Sequence, residues 1–226
     1  MRPVVYLFDI DGTLLSTGGA GRRSMEGAFV RCHGRADACA SFGFGGMTDR
    51  LIARLGLEAI GKEADERSIH ALLETYLELL EAEIVAAASR VHDGVVDALD
   101  RAAARENAAI GLGTGNVESG ARIKLSQVNL WSRFAFGGYG SDHEDRAELL
   151  RVGALRGAAR LGLTLEQVRV LVIGDTPRDV TAARAIGAEC LAVATGGFDL
   201  AALEAEAPTY LAPTLADPVA LSALFR

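Results

Sequence analysis

The sequence predicts an α/β fold, a doubly wound parallel sheet under helices, with an all-helical segment inserted after the first strand. Three observations predict it. Short, continuous apolar runs recur at 4–8, 108–112, 168–173 and 190–194, with a weaker one at 209–211. Helical patterns separate the later runs, and strands alternating with helices imply parallel pairing. The stretch 16–89 breaks that alternation and reads as helical throughout.

The first run, Val4-Val5-Tyr6-Leu7-Phe8, is short and rich in β-formers, as expected of a strand buried on both faces. In the insertion, Leu72, Leu73, Tyr76, Leu79, Leu80 and Ile84 repeat at helical spacing within 70–88, which predicts an apolar stripe packed against neighbouring helices. Further helices are predicted at 95–106, 119–128, 147–161 and 177–186, the last closed by Gly187 as a C-terminal cap. The division that follows is a discontinuous sheet domain, 1–15 with 90–226, and a helical domain, 16–89. In such sheets ligands bind outside the carboxyl ends of the strands.

Half of the 226 residues are apolar, enough for a sizeable core. The net charge of −7 argues against nucleic-acid binding, which needs clustered Lys and Arg, but not against a small anion bound in a locally positive site. No apolar run reaches the roughly 20 residues that span a bilayer. Asp9 and Asp11 interrupt the first apolar stretch where a secretory leader would continue, so a cytoplasmic protein is expected. Cys32, Cys39 and Cys190 form no CxxC pair and read as reduced thiols, and Cys32-His33 lacks the second ligand pair of a zinc site. Oligomeric state is open between monomer and homodimer.

The polar clusters lie where the strands end. Asp9 and Asp11 are two apart on extended chain, which turns both carboxylates to one side and Ile10 away. Such crowding is costly unless a cation or proton is shared. Gly174-Asp175-Thr176-Pro177-Arg178-Asp179 ends another strand, with Pro177 placed to open a helix so that Asp175 and Asp179 converge on the first pair. Hard oxygen ligands of this kind suit Mg2+. A third strand ends in Gly113-Thr114-Gly115-Asn116, whose hydroxyl and backbone N–H groups can hold phosphate oxygens ahead of the helix carrying Arg122. Each cluster taken singly is also an ordinary strand-to-helix turn.

The order DxDGT, a Thr after a strand, a basic residue, then GDxxxD resembles the four motifs of the haloacid dehalogenase-like superfamily, over nearly the whole chain. The insertion is similar to that superfamily's C1 cap, and Gly46-Met47-Thr48-Asp49 looks like part of the cap of its phosphoglycolate phosphatase-like subgroup. The resemblance implies a Rossmann-like core and a Mg2+-dependent phosphatase acting on a small phosphorylated metabolite. It implies Asp9 as nucleophile, Asp11 as acid/base, and Thr114 with Gly115 as phosphate-binding. For the metal it implies Asp9, the backbone carbonyl of Asp11, Asp175, and Asp179 as ligand or support. The third motif is usually a lysine. Arg146, leading its helix, is favoured for that place over Lys124, which falls within one; either can also be a solvated charge.

The remaining readings are weaker. Gly18-Gly19-Ala20-Gly21-Arg22-Arg23 lacks a P-loop ending and reads as the hinge to the insertion, with Arg22 or Arg23 reaching substrate; Thr48 is the other cap candidate. His143 is placed at the site entrance, and Met25, Cys32 and Cys39 are assigned to packing inside the insertion. The alternatives are a phosphomutase of the same fold and a non-catalytic binding protein that kept it. Dehalogenation has no use for Asp11.

Overall fold

In the computed structural model, which describes residues 2–225, β1 (Val4–Phe8) is buried at every position. It lies between β4 (Ala108–Thr114) and β6 (Arg169–Gly174), parallel to both, with Val4 in register with Ala108 on one side and Arg169 on the other. Outside β4 runs β5 (Gly137–Tyr139); outside β6 run β7 (Glu189–Val193) and β8 (Tyr210–Ala212). The six-stranded order is β5-β4-β1-β6-β7-β8, parallel at every pairing. The expected α/β, doubly wound parallel sheet is present.

Alternation along β1 explains why both faces are covered. Val4, Tyr6 and Phe8 join a core with α4 (Val95–Ala103), α5 (Glu118–Gln127) and α9 (Pro218–Phe225). Val5 and Leu7 pack on the other side with α6 (Arg146–Arg160), α7 (Pro177–Ala185) and α8 (Leu200–Glu204). Helix α4 stops at Ala103 rather than running on to 106. β5 was not expected: it is three residues long, and two of them are glycines. Those glycines answer a packing demand, since a Cβ on Gly138 would meet the carbonyl oxygen of Leu149 at 1.9 Å.

Between β1 and β4 the chain forms α1 (Ala20–His33), α2 (Asp49–Ala59) and α3 (Glu66–Ala86). These helices bury an apolar cluster of their own, including Met25, Phe29, Leu57, Leu72, Tyr76, Leu80 and Ile84. Two short strands, β2 (Leu15–Ser16) and β3 (Arg90–Val91), pair antiparallel where the chain leaves for these helices and where it returns. Gly18 and Gly19 turn the chain from β2 into α1, so the join is that turn together with the β2–β3 pair, and Arg22 and Arg23 belong to the helix. Met25 and Cys39 are buried here as expected, but Cys32 is exposed. Among the described residues no helix is long and apolar enough to cross a membrane.

Candidate active site

Three strand ends converge. Asp9 follows β1, and its N–H donates to the Ile173 carbonyl on β6. The Ile10 carbonyl accepts the N–H groups of Thr13, Leu14 and Leu15, which folds the chain sharply back. Gly12 takes a φ of +84°, where a side chain is disfavoured, and a Cβ there would lie 2.3 Å from Asp175 Oδ2. Asp175 follows β6 and is steadied by the Thr13 hydroxyl, which donates to Oδ1 at 3.0 Å. Asp179 sits in the first turn of α7, where Thr176 and Asp179 cap the helix reciprocally: the Thr176 N–H and hydroxyl donate to Asp179 Oδ2 at 3.0 and 2.7 Å.

One oxygen each of Asp9, Asp175 and Asp179 lies within 4.8 Å of the others, all three side chains being buried. Burial pushes the Asp9 carboxyl up to about 6, with Asp179 and Asp11 adding to the rise and Arg146 opposing it. Asp175 is pushed up to about 8 by burial, then by Asp179 and Asp9. The three carboxylates are thus short of positive charge. A Cβ on Gly196 would fall 1.7 Å from Asp175 Oδ2, so the backbone presses close around that carboxylate. An oxygen-rich, charge-deficient pocket of this size fits a hard divalent cation such as Mg2+. The carboxylate of Asp11 is not in that group of three.

Neither basic candidate is a solvated surface charge. Arg146 opens α6 and is buried; its Nη2 lies 2.9 Å from Asp9 Oδ2, while Nη2 and Nε donate to Asp179 Oδ1 at 2.5 and 2.9 Å. Burial disfavours its charge, but Asp179 and Asp9 outweigh that and hold the guanidinium protonated. Lys124, ranked below Arg146 from the sequence because it falls within a helix, also reaches the site. Its Nζ donates to Asp11 Oδ2 and to Asn116 Oδ1, both at 2.6 Å. Burial opposes its charge too, and Asp11 and Asp49 overcome it. The choice between Arg146 and Lys124 therefore becomes two separate places.

Thr114, at the end of β4, is fully buried; its hydroxyl accepts from the Asn116 N–H and side-chain amide at 3.3 and 2.9 Å. Gly115 and Asn116, not Thr114, form wall of a cavity of about 690 Å³ at this edge of the sheet. Asp9, Asp11, Lys124, Arg146 and Asp175 line its sheet side; Met25, Phe44, Met47, Ile52 and Tyr76 form an apolar side, with Arg22 stacked on Phe44 at 4.2 Å. Thr48 does not line the cavity. Its hydroxyl accepts from Leu51 N–H as the cap of α2 and donates to the Glu144 carbonyl at 3.0 Å. His143 is also outside it, its Nδ1 accepting from the Asp145 N–H, and Arg122 is exposed. Asp49 was missed as a site residue: it lines the cavity and its carboxyl is pushed up to about 6, chiefly by burial.

Fold and site together define a doubly wound α/β protein with acidic groups gathered at the carboxyl edge of its sheet. A sequence profile of the haloacid dehalogenase-like hydrolases matches residues 4–187, and the chain belongs to that family. Solved structures share its fold. CbbY from Rhodobacter sphaeroides, in complex with phosphate, is similar with a TM-score of 0.73, 16% identity and all of both chains covered. A hydrolase from Pseudomonas syringae gives a TM-score of 0.70 at 20% identity, covering 99% of this chain and 97% of that one. A predicted phosphoglycolate phosphatase from Haemophilus somnus gives 0.67 at 16% identity, with 98% of each covered. A search of the curated proteins gives no match.

Proposed function

We propose that the chain is a Mg2+-dependent phosphomonoester hydrolase that works through Asp9, on a small phosphorylated metabolite held under residues 16–89 as a cap. The observation that carries this reading is the meeting of Asp9, Asp175 and Asp179 within 4.8 Å, flanked by Arg146 on Asp9 and Lys124 on Asp11. Asp9, Asp175, the Asp11 carbonyl and Asp179 would hold the ion. When bound, Mg2+ supplies positive charge that lets a carboxylate approach a phosphate dianion.

The chain's own residues do the rest. An Asp9 oxygen attacks phosphorus as the bond to the leaving oxygen breaks, and Asp11 delivers a proton to that oxygen. Water then attacks the aspartyl-phosphate while Asp11 takes its proton; phosphate leaves and Asp9 is restored. The N–H groups near Thr114 and Gly115 orient the phosphoryl oxygens. Arg146 holds Asp9 in line, and the apolar wall from Met25, Phe44 and Ile52 limits water around the reacting centre.

The test is phosphate release from a panel of phosphomonoesters by the purified protein with Mg2+. Turnover is expected, and it should vanish on chelation and in Asp9→Asn. Absence of turnover across the panel, or a fully active Asp9→Asn, sinks the proposal.

A further inference from the structure

We infer that Lys124 is a positioning residue for the proton-transfer chemistry, holding Asp11 by one oxygen so that the other serves the reacting atoms. This rests on the reading of Asp11 as the acid/base group. Lys124 lies on the buried stripe of α5 with Gly120, Ala121 and Leu125, and its side chain is only 4% exposed. A lysine carried into such a stripe keeps its charge only where it meets partners. It has two, Asp11 Oδ2 and Asn116 Oδ1, each at 2.6 Å.

Asn116 completes a closed arrangement. Its side-chain amide nitrogen donates to the same Asp11 Oδ2 at 2.8 Å and to the Thr114 hydroxyl at 2.9 Å. Asp11 Oδ2 is thereby fixed by two donors, one of them charged, and such charge-assisted contacts define geometry strongly. Among the described residues no donor reaches Asp11 Oδ1. Asp11 is otherwise open to the cavity, its side chain 44% exposed. Oδ1 is therefore the oxygen left to hand a proton to the leaving oxygen as its bond to phosphorus breaks, and to take one back from the attacking water. Arg146 has a different task, since its charged contacts are to Asp9 and Asp179. Asn116 also ties the acid/base group to the loop proposed to hold phosphate, so both are placed by one set of hydrogen bonds.

The experiment compares kcat/KM for an alkyl phosphate, whose leaving group needs a proton, with that for 4-nitrophenyl phosphate, whose leaving group does not. Lys124→Met should lose about 10²-fold on the alkyl ester, the lower end of what acid/base assistance contributes, and far less on the aryl ester. Lys124→Arg, which keeps a charged donor, should recover part of the difference. Asn116→Ala, which removes the second donor to Oδ2, should show the same selectivity and serves if Lys124→Met does not fold. Equal losses on both esters, or none, overturn the inference. Asp11→Asn measured alongside separates the two levels: if it shows no leaving-group selectivity, the acid/base reading itself fails; if it does and the Lys124 and Asn116 variants do not, only the positioning role fails.

Discussion

The carboxylate of Asp49 accepts the backbone N–H of Val117 at 2.9 Å, at the N-terminus of α5, where no side chain of Val117 caps the helix. In return the Asp49 N–H donates to the Gly115 carbonyl at 2.8 Å. Residues on α2 thus grip both sides of the loop proposed to hold phosphate. Arg54, also on α2, pairs with Glu144 in the segment before α6, at 2.9 Å. A carboxylate at a helix N-terminus is favourable in its own right.

This grip depends on a missing side chain. A Cβ on Gly115 would lie 2.3 Å from the Met47 carbonyl, a backbone atom that cannot swing aside. Gly115→Ala is expected to hold the two parts slightly apart and to lower kcat about 10²-fold, the scale for a misplacement near 1 Å. Circular dichroism should stay native. Unchanged kinetics would show that this close approach is not needed for turnover.

Arg146 pairs with two buried carboxylates at once. Arg146→Ala leaves Asp9 and Asp179 facing each other without a cation, and removing one partner of a buried pair costs about 3–5 kcal/mol. A clear drop in the midpoint of denaturant unfolding is expected, together with loss of activity. Arg146→Lys restores a charge but not the fork that spans both acids, so it should recover stability only in part.

The raised carboxyls make the metal-free protein sensitive to pH. Asp9 at about 6 and Asp175 at about 8 both lie above the ordinary 3.8, so the folded state binds protons more tightly than the unfolded one. The stability they contribute is complete at low pH and is lost as pH rises through those two values. In chelator, Tm should fall as pH rises from about 4 to about 8. Mg2+ should raise Tm most at the alkaline end, where the carboxylates are free to bind it. A flat Tm in chelator would contradict this electrostatic picture.

The thiols offer a check on packing. Cys32 is exposed, whereas Cys39 and Cys190 are buried; burial pushes Cys39 up to about 11 and Cys190 higher still. A disulfide reagent should titrate one thiol in the native protein and all three in denaturant. Rapid native reaction of more than one would place Cys39 or Cys190 outside the core.

Much of this was legible in the sequence because buried parallel strands advertise themselves as unbroken apolar runs. β5 did not, since Gly137 and Gly138 carry no apolar side chains, and Gly138 lets the backbone of α6 approach. Asp9 and Asp175 were legible because each follows a strand end directly, and Asp179 because Pro177 opens the helix that carries it. Lys124 was harder. Spacing placed it inside a helix, and the useful signal was its membership, with Gly120, Ala121 and Leu125, of a stripe otherwise suited to burial. Thr48 and Asp49 could be noticed as a pair but not sorted. Thr48 caps its own helix through a contact only three residues away, whereas Asp49's reach to Val117 spans 68 residues and is set by the fold.

The most direct measurement is mass spectrometry of the protein quenched in acid during turnover, using Asp11→Asn to slow release of phosphate. A phosphoryl group should appear on the peptide containing Asp9 and be absent when Asp9→Asn is added. Substrate hydrolysis without phosphate on Asp9, or with phosphate on another residue, would contradict Asp9 as the nucleophile.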